Sequence, residues 1–75
     1  MHSKTFIVDF PLFGTSWVTV SYFSNAPTYR IQSLDNESAE AILFISEEGR
    51  WQQDGAGIND LSETLGNVIE QYEIG

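Results

Sequence analysis

A series of short apolar runs, rich in β-branched and aromatic residues, is the feature that most constrains this fold. Each run is short, and clusters of Gly, Pro, Asn, Asp or Ser separate it from the next one, as in hairpin-linked strands. Successive residues of a strand point to opposite faces, so each run also fixes which side chains share a face. The pattern predicts five strands, at residues 5–10, 17–23, 29–33, 41–46 and 50–53.

The run at residues 41–46 allows a second interpretation, because residues 38–41 could begin a short helix. We favour a strand, since turn residues bound the run and it is too short for a helix. The next three residues, 47–49, suit a hairpin loop with a glycine in the left-handed conformation. That loop pairs Ile45 with Trp51 and so places both side chains on one face of the sheet.

The last part of the chain carries a helical pattern. Its apolar residues follow each other at steps of four, three, one and three, which trace a single stripe on an α-helix: Leu61, Leu65, Val68, Ile69 and Tyr72. Asp60 is the expected N-cap, with Glu63 completing a capping box. Because Gly66 lowers the helix propensity, we expect it where the helix approaches the sheet closely.

Five hairpin-linked strands followed by one helix predict an α+β fold with a single domain, residues 1–75. The expected architecture is an antiparallel five-stranded meander sheet, open or strongly curled, with the C-terminal helix packed on one face. The helix stripe and that sheet face then form the core. We expect these residues to be largely buried: Val8, Val20, Ile31, Ile45, Trp51, Leu61, Leu65, Val68 and Ile69.

A single helix covers only one face of a sheet, yet both faces of the predicted strands carry large apolar side chains. The second face must therefore curl over itself, meet a second copy of the chain, or form a binding patch. Trp17, Phe23 and Phe44 are the expected contributors to a homodimer interface there, because aromatic residues dominate interface energetics. A self-associating structural subunit is accordingly the alternative functional hypothesis.

The inventory of reactive side chains argues against an enzyme. The chain has no Cys and a single His, His2, at a terminus where no rigid pair of nucleophile and base is expected. Glu47 and Glu48 belong to the predicted hairpin tip, where both carboxylates are solvated. The segment 54–60 precedes the helix as phosphate-binding loops do, but lacks their third Gly and their Lys, and it lacks the ligand spacing of an EF-hand. We expect no catalytic residue, no cofactor and no metal site.

The chain carries a formal charge of −8 at pH 7, from 11 acidic and 3 basic residues. This charge argues against direct nucleic-acid binding, which needs Lys and Arg to contact phosphates. The acids concentrate in residues 35–75, where they either keep a small protein soluble or form a patch for a basic partner, for example as a nucleic-acid mimic. The expected contacts lie at the hairpin tip and on the outer side of the helix: Glu47, Glu48, Glu63, Glu70 and Glu73.

The longest apolar run, residues 41–45, is far shorter than the roughly 20 residues that a membrane-spanning helix needs. The N-terminal segment also lacks the unbroken apolar stretch of a signal peptide. We therefore expect a cytoplasmic protein with no membrane partner. Its leading functional hypothesis is a small, acidic, non-enzymatic protein-interaction domain.

Overall fold

The structure of the chain, a computed structural model, describes residues 3–24, 28–36 and 38–74. Each strand pairs antiparallel with the next one in the chain, which gives one sheet in the order β1-β2-β3-β4-β5. The sheet is not closed, so the α+β meander is confirmed in its open form. The elements are β1 (Ser3–Phe10), β2 (Gly14–Phe23), β3 (Thr28–Ser33), β4 (Glu40–Ile45), β5 (Trp51–Gln53) and α1 (Asp60–Gln71).

The first hairpin is tighter than the sequence predicted, because β2 already begins at Gly14. The Phe13 amide donates to the Phe10 carbonyl (3.0 Å), and Gly14 has a φ of 67°, a left-handed conformation that suits glycine. The turn also buries the Phe13 side chain in the core, which the sequence did not indicate. Between β2 and β3 the sequence Ser-Asn-Ala-Pro at residues 24–27 also predicts a turn, but residues 25–27 lie outside the described residues.

The strand interpretation of residues 41–46 is confirmed, since β4 spans Glu40–Ile45. The loop of residues 47–49 produces the predicted register, in which Ile45 pairs with Trp51 and Leu43 with Gln53. Gly49 takes the left-handed conformation at a φ of 82°. Three residues of loop are therefore enough to decide which side chains of β4 and β5 face the helix.

The core lies between α1 and the face of the sheet that the helix covers, here called the inner face. Seven of the nine expected core residues are buried: Val8, Val20, Ile31, Trp51, Leu61, Leu65 and Ile69. Ile45 contradicts the prediction with 49% exposure, because it ends β4 and its pairing partner Trp51 takes the contact with the helix. Val68 also contradicts the predicted burial: this residue lies at the margin of the helix stripe and is only half-buried.

The N-cap of the helix lies one residue earlier in the chain than predicted. Asn59, rather than Asp60, is the N-cap: its side-chain oxygen accepts from the Ser62 amide (2.8 Å), and the Ser62 hydroxyl accepts from the Asn59 amide (3.0 Å). Ser62 rather than Glu63 thus completes the capping box. The buried Ser62 hydroxyl also lies 3.1 Å from the Trp51 carbonyl, to which it can donate, and this contact ties the cap to β5.

Gly66 lies where the helix directly contacts the sheet. The sequence analysis predicted this close approach from the presence of a glycine within the helix. A Cβ atom added at this position would overlap the Trp51 indole ring. The ring therefore packs against the bare backbone of the helix, a contact that any larger side chain would prevent.

The end of the helix is closed by a Schellman arrangement. The Ile74 amide donates to the Ile69 carbonyl (3.2 Å), and the Glu73 amide donates to the Glu70 carbonyl (3.3 Å). Glu73 occupies the position that usually holds glycine, with a φ of 53°. The turn buries the Ile74 side chain, which extends the core beyond the last helical residue.

Candidate functional site

A cleft of about 320 Å³ opens between the β4–β5 hairpin and the helix. We call it the tip–helix cleft, and its lining residues are Gly49, Arg50, Trp51, Glu63, Asn67 and Glu70. Two of the five acidic residues that the sequence proposed for partner binding, Glu63 and Glu70, line this cleft. They lie seven residues apart on α1, with Asn67 between them, and therefore form one row along the helix.

The other three proposed acidic residues lie outside the cleft. Glu47 and Glu48 are exposed at the hairpin tip, next in the chain to the lining residue Gly49. Glu73 is exposed beyond the end of the helix. The structure therefore places two of the five residues, Glu63 and Glu70, in the cleft. Glu47 and Glu48 are near it along the chain, and Glu73 follows the end of the helix.

Glu63 binds a guanidinium group that belongs to the chain itself. Arg50 Nη2 lies 3.1 Å from Glu63 Oε1, and both side chains are more than half exposed. An ion pair this exposed contributes only about 0–1 kcal/mol to stability. The pair nevertheless shows the geometry in which this side of the cleft accepts a basic group.

Glu70 has a structural contact that the sequence analysis missed. Its Oε1 accepts a hydrogen bond of 2.8 Å from Nε1 of Trp51, whose ring is buried against Gly66. A signal for this contact existed, since Glu70 follows Gly66 by four residues and therefore lies on the same side of the helix. The carboxylate satisfies the one polar atom of the Trp51 side chain.

Trp51 also ends a row of aromatic rings that crosses the inner face. The ring centroids of Tyr22 and Tyr29 are 5.0 Å apart, and those of Tyr29 and Trp51 are 5.3 Å apart in an edge-on arrangement. Burial, together with the charges of Tyr22 and Glu70, raises the pKa of Tyr29 above 10.0. Trp51 is therefore in contact with both Tyr29 and the helix backbone at Gly66.

All three basic side chains of the protein are engaged within the chain. Arg30 Nη2 lies 2.7 Å from Glu40 Oε2, Arg50 pairs with Glu63, and Lys4 Nζ lies 4.7 Å from the ring centroid of Tyr72. Most acids therefore have no basic counterpart. Among the described residues, these acids form no ion pair: Asp9, Asp35, Glu47, Glu48, Asp54, Asp60, Glu70 and Glu73.

The face of the sheet away from the helix, here called the outer face, carries the three residues proposed for a dimer interface. Trp17 is 52% exposed, Phe23 is also exposed, and Phe44 is half-buried. Phe23 lies six positions after Trp17 on β2, a distance of about 20 Å. The paired residues Thr19 and Gln32 lie between them, so the aromatic side chains do not form one continuous patch.

The sequence analysis considered two further candidates, the segment 54–60 and His2. In the segment 54–60, the amides of Ala56 and Gly57 both donate to the Gln53 carbonyl (3.0 and 2.8 Å), so they are not free to bind a phosphate. His2 lies outside the described residues. In the part of the chain that the structure describes, no three His, Asp or Glu side chains are grouped to hold a metal ion, and no helix is long and apolar enough to cross a membrane.

Comparisons with protein-family models, with curated proteins and with solved structures found no match to this chain. What the protein binds must therefore be inferred from its own surfaces. The tip–helix cleft is a concave surface lined by two of the five proposed acidic residues, Glu63 and Glu70, and by the aromatic side chain of Trp51.

Proposed function

We propose that this chain is a small, non-enzymatic protein-interaction domain whose acidic C-terminal half binds a basic segment of a partner protein in the tip–helix cleft. The observation that carries the proposal is that the cleft already holds one guanidinium group, that of Arg50, against Glu63. A partner's Arg can take the place of Arg50 at small energetic cost, because the internal ion pair is exposed and weak.

The charge around the cleft supports a basic occupant. Glu47 and Glu48 at the tip form no ion pair within the described residues, and the chain as a whole carries a charge of −8. Such a field raises the association rate of a positively charged partner and is screened over about 8 Å at physiological ionic strength. Binding should therefore weaken with added salt.

The lining residues favour binding over catalysis. They include no hydroxyl, thiol or imidazole group that could act as a nucleophile beside a base. Trp51, which also lines the cleft, is in contact with the helix, Glu70 and Tyr29. An apolar ring beside two carboxylates suits an Arg or Lys side chain, whose aliphatic part can pack on the ring while its charged end meets a carboxylate.

The experiment uses Trp51 as its own reporter. Replacing Trp17 by Phe leaves Trp51 as the single indole, whose fluorescence is then titrated with a hexa-arginine peptide and with a hexa-serine control. We expect saturable binding of the basic peptide that weakens as salt is added. No change in emission up to millimolar hexa-arginine would contradict the proposal.

Two matched variants locate the binding. Glu63→Gln removes a charge from the cleft, and Asp35→Asn removes the same charge from an exposed loop residue elsewhere. We expect Glu63→Gln to weaken binding about fivefold, which corresponds to roughly 1 kcal/mol, and Asp35→Asn to leave it nearly unchanged. Equal losses in the two variants would mean that only the overall charge matters.

A second candidate function is self-association, which the exposed aromatic side chains of the outer face favour. Trp17 and Phe23 are both about half exposed, more than large aromatic residues usually are. Because they lie about 20 Å apart, a face-to-face homodimer would have to cover the polar row between them as well. Light scattering at micromolar concentration tests this function: a homodimer gives twice the chain mass of 8.4 kDa, and a monomer gives the chain mass itself.

A further inference from the structure

The two edges of the sheet differ in whether the chain covers them. At β5, the Gln53 amide donates to the Gly57 carbonyl and the Gly57 amide donates to the Gln53 carbonyl, both at 2.8 Å. The Trp51 carbonyl lies within reach of the Ser62 hydroxyl. Within the described residues, β1 has no strand on its other side, although it is eight residues long.

The hydrogen-bond pattern shows which backbone groups of β1 point outward. The Leu34 amide donates to the Trp17 carbonyl (2.9 Å), so the odd-numbered residues of β2 direct their backbone groups towards β3. Along an antiparallel strand, successive residues direct their backbone groups alternately to the two neighbouring strands. Trp17 bonds towards β3, so Ile7, which is its partner on β1, does not bond to β2. Thr5, Ile7 and Asp9 therefore direct their amides and carbonyls away from the sheet.

We propose that β1 pairs with β1 of a second copy of this chain, antiparallel and centred on Ile7, so that the two sheets become one continuous sheet. In this register Ile7 pairs with Ile7 of the second copy, and Thr5 pairs with Asp9 of the second copy. The amides and carbonyls of Thr5, Ile7 and Asp9 that point away from the sheet then form hydrogen bonds with the second copy. Pro11, which has no amide hydrogen, lies just beyond the end of the paired segment.

The side chains of the outer face support this register. Ile7 is 57% exposed and pairs across the hairpin with the exposed Trp17. The two-fold axis at Ile7 joins these side chains into one apolar row, which runs from Trp17 through both Ile7 residues to Trp17 of the second copy. Cross-strand apolar pairs of this kind stabilise antiparallel sheets.

The distribution of charge favours a second copy over a basic partner at this edge. β1 carries one Lys and one Asp, Lys4 and Asp9, and the proposed register places no like charges directly opposite each other. The acidic tip–helix cleft lies at the β5 side, about 19 Å away across four strand spacings. That separation exceeds the screening length of about 8 Å, so the acidic residues at the β5 sides of two copies repel each other only weakly when the β1 edges approach.

The test measures amide hydrogen exchange by NMR at micromolar and at millimolar concentration. We expect the amides of Thr5, Ile7 and Asp9 to exchange at least about tenfold more slowly at the higher concentration. Light scattering should then give twice the chain mass of 8.4 kDa. Exchange of these three amides that is equally fast at both concentrations would overturn the proposal.

Variants separate edge pairing from a contact between outer faces. Thr5→Pro removes an outward amide that the ladder with β2 does not use, and Ile7→Lys places two Lys side chains opposite each other; both should abolish the dimer. Phe23→Lys, at the far end of the same face, should leave the dimer intact. A dimer that Phe23→Lys dissociates and both β1 variants preserve would be a face-to-face dimer and would overturn the proposal.

The edge proposal does not depend on the proposed function, because the two surfaces are separate. Glu63→Gln should weaken binding of the hexa-arginine peptide and leave the mass of the particle unchanged. Ile7→Lys should change the mass and leave peptide binding unchanged. The failure of one proposal is therefore recognisable without the failure of the other.

Discussion

At the β5 side of the sheet the chain covers its own edge, whereas at the β1 side none of the described residues pairs with the edge. On the β5 side, Gly66 lets the helix backbone lie against the Trp51 ring. On the β1 side, the helix contributes the half-exposed Tyr72, which stacks near Phe6 and lies under Lys4. The helix therefore packs more closely on the β5 side than on the β1 side. We expect substitutions in the closely packed contacts to lower the free energy of unfolding more than substitutions at exposed positions.

The largest effect is expected where the helix stripe is buried most completely. Leu65→Ala removes a side chain that is 1% exposed and should lower the free energy of unfolding by about 2–5 kcal/mol, through lost transfer energy and a cavity. Val68→Ala, at the half-buried margin of the stripe, should cost clearly less. Thermal and urea denaturation measure both variants, and equal losses would mean that the helix docks differently.

The next effect tests the close contact on the β5 side. Gly66→Ala raises the intrinsic helix propensity by about 1 kcal/mol, yet it should destabilise the protein by roughly 1–3 kcal/mol because the new Cβ overlaps Trp51. Asn67→Ala, at the next and exposed helix position, should gain stability from the same propensity. A stabilised Gly66→Ala variant would show that the Trp51 ring can move aside.

These contacts also show how far sequence reasoning reached. The hairpin loop at residues 47–49 predicted the register, and that register placed Trp51 on the inner face. The spacing of apolar residues predicted the docked face of the helix, and Gly66 predicted its closest approach to the sheet. Each of these inferences rests on local geometry with a fixed period, which the sequence displays directly.

The sequence could not decide features for which two local patterns are equally suitable or which depend on tertiary contacts. Asn59–Ser62 and Asp60–Glu63 are both capping pairs three residues apart, and the buried hydrogen bond from Ser62 to β5 selects the first pair. The contact between Glu70 and Trp51 depends on the angle of the helix across the sheet, which periodicity does not fix. Of the five acidic residues that the sequence proposed for partner binding, Glu63 and Glu70 line the cleft, and the sequence did not indicate that Trp51 lines it as well.

A smaller effect concerns the hydrogen bond that fixes Trp51. Glu70→Ala leaves the buried Nε1 of Trp51 without an acceptor and should cost about 1–3 kcal/mol. Glu70→Gln keeps an acceptor oxygen and should cost less. Urea denaturation of the two variants separates the hydrogen bond from the charge, and identical losses would mean that the charge alone matters.

The end of the helix offers a gain rather than a loss. Glu73→Gly places glycine at a φ of 53° and should stabilise the protein by about 0.5–1 kcal/mol. Glu73→Gln removes the charge near the carbonyl end of the helix but keeps the strained backbone, so its gain should be smaller. If both variants gain equally, charge rather than backbone conformation is the cause.

The smallest effect concerns Tyr29, which joins the two sides through the aromatic row between Tyr22 and Trp51. Burial first, and then the charges of Tyr22 and Glu70, raise the pKa of Tyr29 in the folded protein above its unfolded value of 10.0. The folded state therefore holds this proton more tightly, so its contribution to stability is complete below pH 10.0 and is lost as the pH rises through the folded pKa. Tyr29→Phe should consequently reduce the loss of stability above that pH. Urea denaturation across this pH range measures the free energy of unfolding as a function of pH. If Tyr29→Phe leaves the slope of that dependence unchanged, another group causes the loss of stability at high pH.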